Sequence, residues 1–130
     1  MNIVRRFLLL IAVAVALPGA AFAAEFRAFD QAAFAAAQSA GRPILVEVAA
    51  DWCPTCRAQA PIIRATAADP AFANMIVFRI DFDRQRDAWR GLGARRQSTL
   101  IAFAGARETD RAVGVSDQRR LAALMRAALQ

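Results

Sequence analysis

The sequence predicts an α/β fold: a central mixed β-sheet flanked by helices, in one domain behind an N-terminal leader. Three observations predict it. Short apolar runs rich in β-branched residues, such as "PILVEVAA" over 43–50, alternate with stretches of helical periodicity. The last two runs, in "STLIAFAGARETDRAVGV", are joined by a tight turn around Gly105 and read as an antiparallel hairpin. The chain of 130 residues has room for one core of ordinary size, which uses ~100–150 residues.

The leader comes first. Arg5 and Arg6 precede the apolar run "FLLLIAVAVAL" (7–17), Pro18 and Gly19 break it, and Ala21-Phe22-Ala23 is a small-x-small cleavage box. This is the pattern of a secretory signal peptide over 1–23, leaving a domain over 24–130. A membrane-spanning helix takes ~20 apolar residues, so membrane attachment is expected only if the leader stays uncleaved.

Each element then follows in order. "EFRAF" (25–29) alternates weakly and suits a short edge strand. Asp30 is placed to cap the helix "QAAFAAAQSA", which Gly41 and Pro43 terminate. "PILVEVAA" has the continuous apolar character of a strand buried on both faces. A helix starts at about Cys53, with Ile63 and Ala67 at helical spacing from Cys56 and Ala60. "MIVFRIDFD" (75–83) is the next strand, and "RQRDAWRGLG" a short helix closed by Gly91 or Gly93. After the hairpin, Ser116 is the expected cap of the last helix, with Leu121, Leu124, Met125 and Ala128 on one face.

Composition excludes several functions. Net charge falls from +6 to +4 once Arg5 and Arg6 are set aside, and the remaining arginines are interspersed with acids. No basic stripe suited to a phosphate backbone emerges, so nucleic acid is not an expected partner. Histidine and tyrosine are absent, which removes Ser-His-Asp and Cys-His catalysis. Two cysteines cannot close a four-ligand zinc site, so no metal and no cofactor is expected within one chain.

Cysteine is the leading candidate for chemistry. Cys53 and Cys56 stand where a buried strand turns into a helix, whose unpaired N–H groups and partial positive charge stabilise a thiolate on Cys53. Cys53 is then the attacking sulfur, and Cys56, three residues on and on the same side, the resolving one. Pro54 at the first helical turn sacrifices no hydrogen bond. Two alternatives stay open. Two chains can each donate a pair to a zinc or iron site, and a bridge over so short a loop can be a staple, although it removes little unfolded-state entropy.

Taken with its flanks, "ILVEVAAD" before "WCPTC" and "RAQAP" after it, this stretch resembles the thioredoxin superfamily. Pro61, five positions after Cys56, matches the family's helix-bending proline, and Glu47, six before Cys53, stands where the family usually has a buried aspartate. "RIDFD" resembles its third strand, "STLIAFAGARE" its hairpin and "VGVS" its last strand. The likeness runs over 25–130 and, read with the leader, implies a thioredoxin fold and an exported, periplasmic thiol–disulfide oxidoreductase with a redox-active Cys53–Cys56 disulfide. By the same likeness Glu47 takes the proton from Cys56, its carboxyl held up by burial, unless it lies at a strand edge and reaches water. Trp52, Pro54, Thr55, Ser98 and Thr99 would form the substrate-docking surface, Trp52 otherwise being a core aromatic. Arg57 favours a thiolate or is simply solvated.

Ser98 departs from the family, which has a cis-proline there; a cis bond before a non-proline costs ~3 kcal/mol, so a trans peptide is expected. Its hydroxyl is within the means of bonding a cysteine sulfur. Val77 replaces a lysine that often accompanies the buried acid. The implied partners are disulfide-containing exported proteins and a membrane electron donor, with the chain a monomer that works as a reductant. Two other classes compete. A copper-handling module for respiratory enzymes usually supplies His or Met beside the pair, whereas Met75 and Met125 here fall at core positions. A non-catalytic binding module would use the groove around Trp52 and Pro54.

Overall fold

The computed structural model describes residues 23–130, so all of the expected leader but Ala23 lies outside the described residues. The elements are β1 (Glu25–Ala28), α1 (Gln31–Ser39), β2 (Pro43–Ala49), α2 (Pro54–Ala67), β3 (Ile76–Asp81), α3 (Arg86–Gly91), β4 (Thr99–Ala104), β5 (Arg107–Val113) and α4 (Gln118–Ala127). A 3-10 turn at Pro70–Phe72, which the sequence pattern did not suggest, links α2 to β3.

The strands form one sheet in the order β1-β3-β2-β4-β5. β1, β3 and β2 run parallel, while β4 is antiparallel to both β2 and β5. Period-two alternation sends successive side chains to opposite faces. Leu45, Val77, Leu100 and Ala102 meet Ile63 of α2 and Leu121, Leu124 and Met125 of α4 on one face. Ile44, Val46, Phe78, Ile80 and Phe103 meet Phe34 of α1 and Trp89 of α3 on the other. β2 is apolar along nearly its whole length because helices cover it on both sides.

Phe34 anchors α1. Its ring lies 5.9 Å from that of Phe78 and 5.4 Å from that of Phe103, both nearly edge-on. Truncating such a buried ring to alanine costs about 3–5 kcal/mol. The Asp30 carboxylate accepts from the Ala33 amide at 2.8 Å, so the expected cap is present. Gly105 closes the hairpin at φ 59°, where a Cβ would come within 3.2 Å of the Gly41 Cα.

Two local expectations need correction. The last helix is capped by Asp117, not Ser116, through a 2.8 Å bond from the Arg120 amide, because the chain enters the helix one residue later. The segment 114–116 is not strand: β5 ends at Val113, and Gly114, at φ 69°, turns its amide to the Ser98 carbonyl. Val77 is buried under α2 and borders the same cavity as Glu47, while the residue opposite Glu47 in the β2–β3 register is the cation Arg79, two positions further along β3.

Candidate active site

β2 is a central strand, so its C-terminal end opens onto the middle of the sheet edge, where Ala50, Asp51 and Trp52 lead into α2. Cys53 is the N-cap of α2: its backbone is extended, and its Sγ accepts the Cys56 amide at 3.1 Å. Cysteine thus does the work that Ser or Asp does at an ordinary N-cap, with sulfur facing the unpaired amides and the positive end of the helix. Pro54 at the first helical position withdraws no needed donor.

Both cysteines are free thiols, and both are buried, packed with Ala49 and Ala50 and shielded by Phe82. Burial pushes the Cys56 thiol above its ordinary range, and its hydrogen bond with Cys53 adds to the effect. Backbone hydrogen bonding from Ala50 and Ser98 pulls the other way. Proline at position 98 would lack the backbone N–H that serine keeps.

Ser98 is buried and, with no cis peptide among the described residues, adopts φ 56°, the left-handed region that β-carbon sterics disfavour. Its carbonyl accepts from the Gly114 amide at 3.0 Å and from Gln59 Nε2 at 3.4 Å. Gln59, one turn after Cys56 and itself buried, also donates to Val115 O at 2.7 Å. This amide side chain, absent from the sequence-based candidates, ties the helix that carries Cys56 to the Ser98 turn. Thr99 is buried, its hydroxyl donating to Arg96 O at 2.7 Å, so its side chain latches the loop and offers no exposed surface.

Trp52 is not a core aromatic. It is 54% exposed, its Nε1–H donates to Asp83 Oδ2 at 2.8 Å, and its ring meets Phe82 edge-on at 6.4 Å. Phe82 in turn stacks on Trp89 at 5.0 Å. Pro54 is exposed and Thr55 half-buried beside it. Arg57 is exposed, its Nη1 donating to Asp51 O at 3.2 Å.

Glu47 lies on the α2 face of a central strand, so the strand-edge alternative does not hold. Its side chain is 14% exposed and borders a cavity of about 360 Å³ between β1 and α2. Burial raises its carboxyl above the ordinary carboxylate range, opposed by the nearby Arg79 and Arg64 guanidinium groups. Arg79 Nη1 stands 3.7 Å from Glu47 Oε1, and its Nη2 donates to Asp51 Oδ1 at 2.9 Å. Arg79 and Asp51 were also missed in the sequence; the sign of Arg79 was a charged residue inside the apolar run "VFRID". Among the described residues no group of three or more His, Cys, Asp or Glu side chains converges as a metal site.

A cysteine pair one helical turn apart, at the N-terminus of the helix that follows a central strand, defines a protein built for dithiol–disulfide exchange. Comparison with known proteins agrees. The Thioredoxin family model matches residues 25–127, and the chain belongs to that family. The structure is similar to Trxlp from Edwardsiella tarda EIB202, with a TM-score of 0.75 and 35% identity over 78% of this chain and 98% of that one. The thioredoxin of Chlamydia muridarum is 30% identical over 82 residues, 63% of this chain and 78% of its own length. That of Mycobacterium tuberculosis is 31% identical over 88 residues, 68% of this chain and 72% of its own. The protein is a thiol–disulfide oxidoreductase with a thioredoxin fold.

Proposed function

We propose that the protein is exported to the periplasm and there, as a monomer, reduces disulfides in other exported proteins, its own pair being restored by a membrane electron donor. The leader motif supports export. The observation that carries the direction is the burial of both sulfurs, packed with Ala49, Ala50 and Phe82. Strong oxidants of this chemistry owe their potential to a stabilised reduced, thiolate form. Here both sulfurs are withdrawn from water, and burial raises the Cys56 thiol, which is unfavourable to thiolate.

In this reading a substrate disulfide docks against Trp52, Pro54, Thr55 and the Ser98 turn. The Cys53 thiolate attacks one substrate sulfur, forming a mixed disulfide and expelling the other sulfur as thiolate. Cys56 gives its proton to Glu47 and attacks the Cys53 sulfur. The Cys53–Cys56 disulfide forms, the second substrate thiolate leaves, and two electrons have passed to the substrate.

Equilibrating residues 24–130 against dithiothreitol and glutathione buffers measures the potential of the pair. A value near the ~−270 mV of thioredoxin supports a reductant; one near the ~−120 mV of a strong oxidant overturns the direction.

A further inference from the structure

Two cavities border α2. One, about 360 Å³, takes in Glu47 and Arg64; the other, about 320 Å³, takes in Cys56, Asp51 and Arg57. Glu47 borders only the first and Cys56 only the second, while Arg79 and Ala60 border both. The Arg79 guanidinium therefore stands at the partition between the group that loses a proton and the group proposed to receive it.

Arg79 has two acidic neighbours of unlike character. Asp51, 2.9 Å from Nη2, is fully exposed and immediately precedes Trp52 on the rim a substrate must approach. Glu47, 3.7 Å from Nη1, is shielded. An ion pair open to water is worth little and exchanges readily, whereas the same cation beside a desolvated carboxylate acts through a lower effective dielectric. A movement of roughly an ångström brings Nη1 to charge-assisted hydrogen-bonding distance from Glu47.

We propose that Arg79 is a positioning residue shared between Asp51 and Glu47, and that a basic side chain beside the substrate disulfide engages Asp51, releasing Arg79 to close on Glu47 and ionise it. Proton uptake from Cys56 is then coupled to the presence of a basic substrate. The inference rests on Glu47 as the proton acceptor. The other charged groups around Glu47 are Arg64 from α2, Asp81 from β3 and Arg27 from β1, while β4 sets only Leu100 beside it. Arg27 is already paired with Glu25.

The test is a single turnover of the reduced protein with two synthetic peptide disulfides, one flanked by lysines and one by glutamates. Acid quenching and mass spectrometry follow the decay of the mixed disulfide across pH, and carbon-13 NMR follows the Glu47 carboxyl. Arg79→Gln is expected to move the Glu47 titration and the rise in resolution rate to higher pH, and Asp51→Asn to move both to lower pH; Arg79→Lys restores most of the first shift. Below the midpoint, wild type is expected to resolve the lysine peptide about tenfold faster than the glutamate peptide, the effect of a one-unit shift. Asp51→Asn removes that preference. Shifts in the same direction, no shift, or a lysine preference that survives Asp51→Asn overturns the inference. A pH profile unchanged in Glu47→Gln overturns instead the assignment of Glu47 as acceptor.

Discussion

The Trp52 indole donates to the Asp83 carboxylate at 2.8 Å, and this bond fixes a ring that is 54% exposed next to Cys53. An unheld indole at such a site would sample several rotamers, and docking would have to order it. Asp83→Ala is therefore expected to raise the KM for a peptide disulfide about threefold to tenfold with little change in kcat, as lost preorganisation does. Stability should fall by no more than about 1 kcal/mol, because the bond is open to water. Steady-state kinetics and Trp52 fluorescence anisotropy check it; an unchanged KM with a freely rotating ring would sink the docking role of Trp52.

Ser98 holds φ 56° without the glycine that this conformation favours. Ser98→Gly keeps the amide that faces Cys56 and relieves the β-carbon strain, at the expense of a more flexible unfolded chain. The two terms nearly cancel, so the midpoint of urea unfolding should move by less than the equivalent of about 1 kcal/mol, with the Cys56 thiol titration unchanged. Ser98→Pro deletes the amide donor and, because the proline ring fixes φ at about −65°, also forces the turn out of its left-handed conformation, so the Cys56 thiol should titrate at higher pH. Ultraviolet thiolate absorbance reads both variants; an unmoved Cys56 in the proline variant would show that the amide does nothing for the sulfur.

The elements were legible in the sequence wherever one physical signal dominated. "PILVEVAA" reads as a buried strand because no position but Glu47 interrupts its apolar run, and Asp30 reads as a cap because a helix-forming stretch follows it at once. Cys53 and Cys56 needed only their place between strand and helix. What failed depended on registers and surfaces set by distant parts of the chain. Which β3 residue stands opposite Glu47 follows from strand pairing across 32 positions, so the cation that accompanies it, Arg79, was not apparent in the sequence. Ser116 and Asp117 are both good caps, and only the path of the Gly114 turn decides between them. Gln59 carried no signal in the sequence because its partners, the Ser98 and Val115 carbonyls, come from the far end of the fold.

The order of the two sulfurs has a direct chemical signature. Cys56→Ser should leave Cys53 able to attack and unable to be released, so a stable mixed disulfide with substrate accumulates. Cys53→Ser should form none and lose at least about 100-fold in activity, as expected when a nucleophile is removed. Non-reducing electrophoresis and mass spectrometry distinguish the adducts; a trapped adduct on Cys56 in the Cys53→Ser variant would reverse the roles.

Glu47 and Asp110 should give stability opposite dependences on pH. Burial raises the folded-state Glu47 carboxyl, so the folded chain binds that proton more tightly than the unfolded chain. Its contribution declines as pH rises from the ordinary carboxyl range through the raised value, then stays flat. Glu47→Leu removes this decline and should be more stable than wild type by about 1 kcal/mol at neutral pH, with the gap closing in acid. Asp110 is the reverse case. Arg120 binds it through two nitrogens at 2.6 and 2.8 Å and holds its carboxyl below the usual range. That contribution is present above the unfolded value and lost as pH falls through the folded one. The pair is partly exposed, so Asp110→Asn should cost only about 0.5–1 kcal/mol at neutral pH and nothing in strong acid. Urea melts of the three proteins from pH 2 to 8 test both signs. Parallel curves for Glu47→Leu and wild type would show that the carboxyl is solvated, and activity lost in that more stable variant would show what its burial is for.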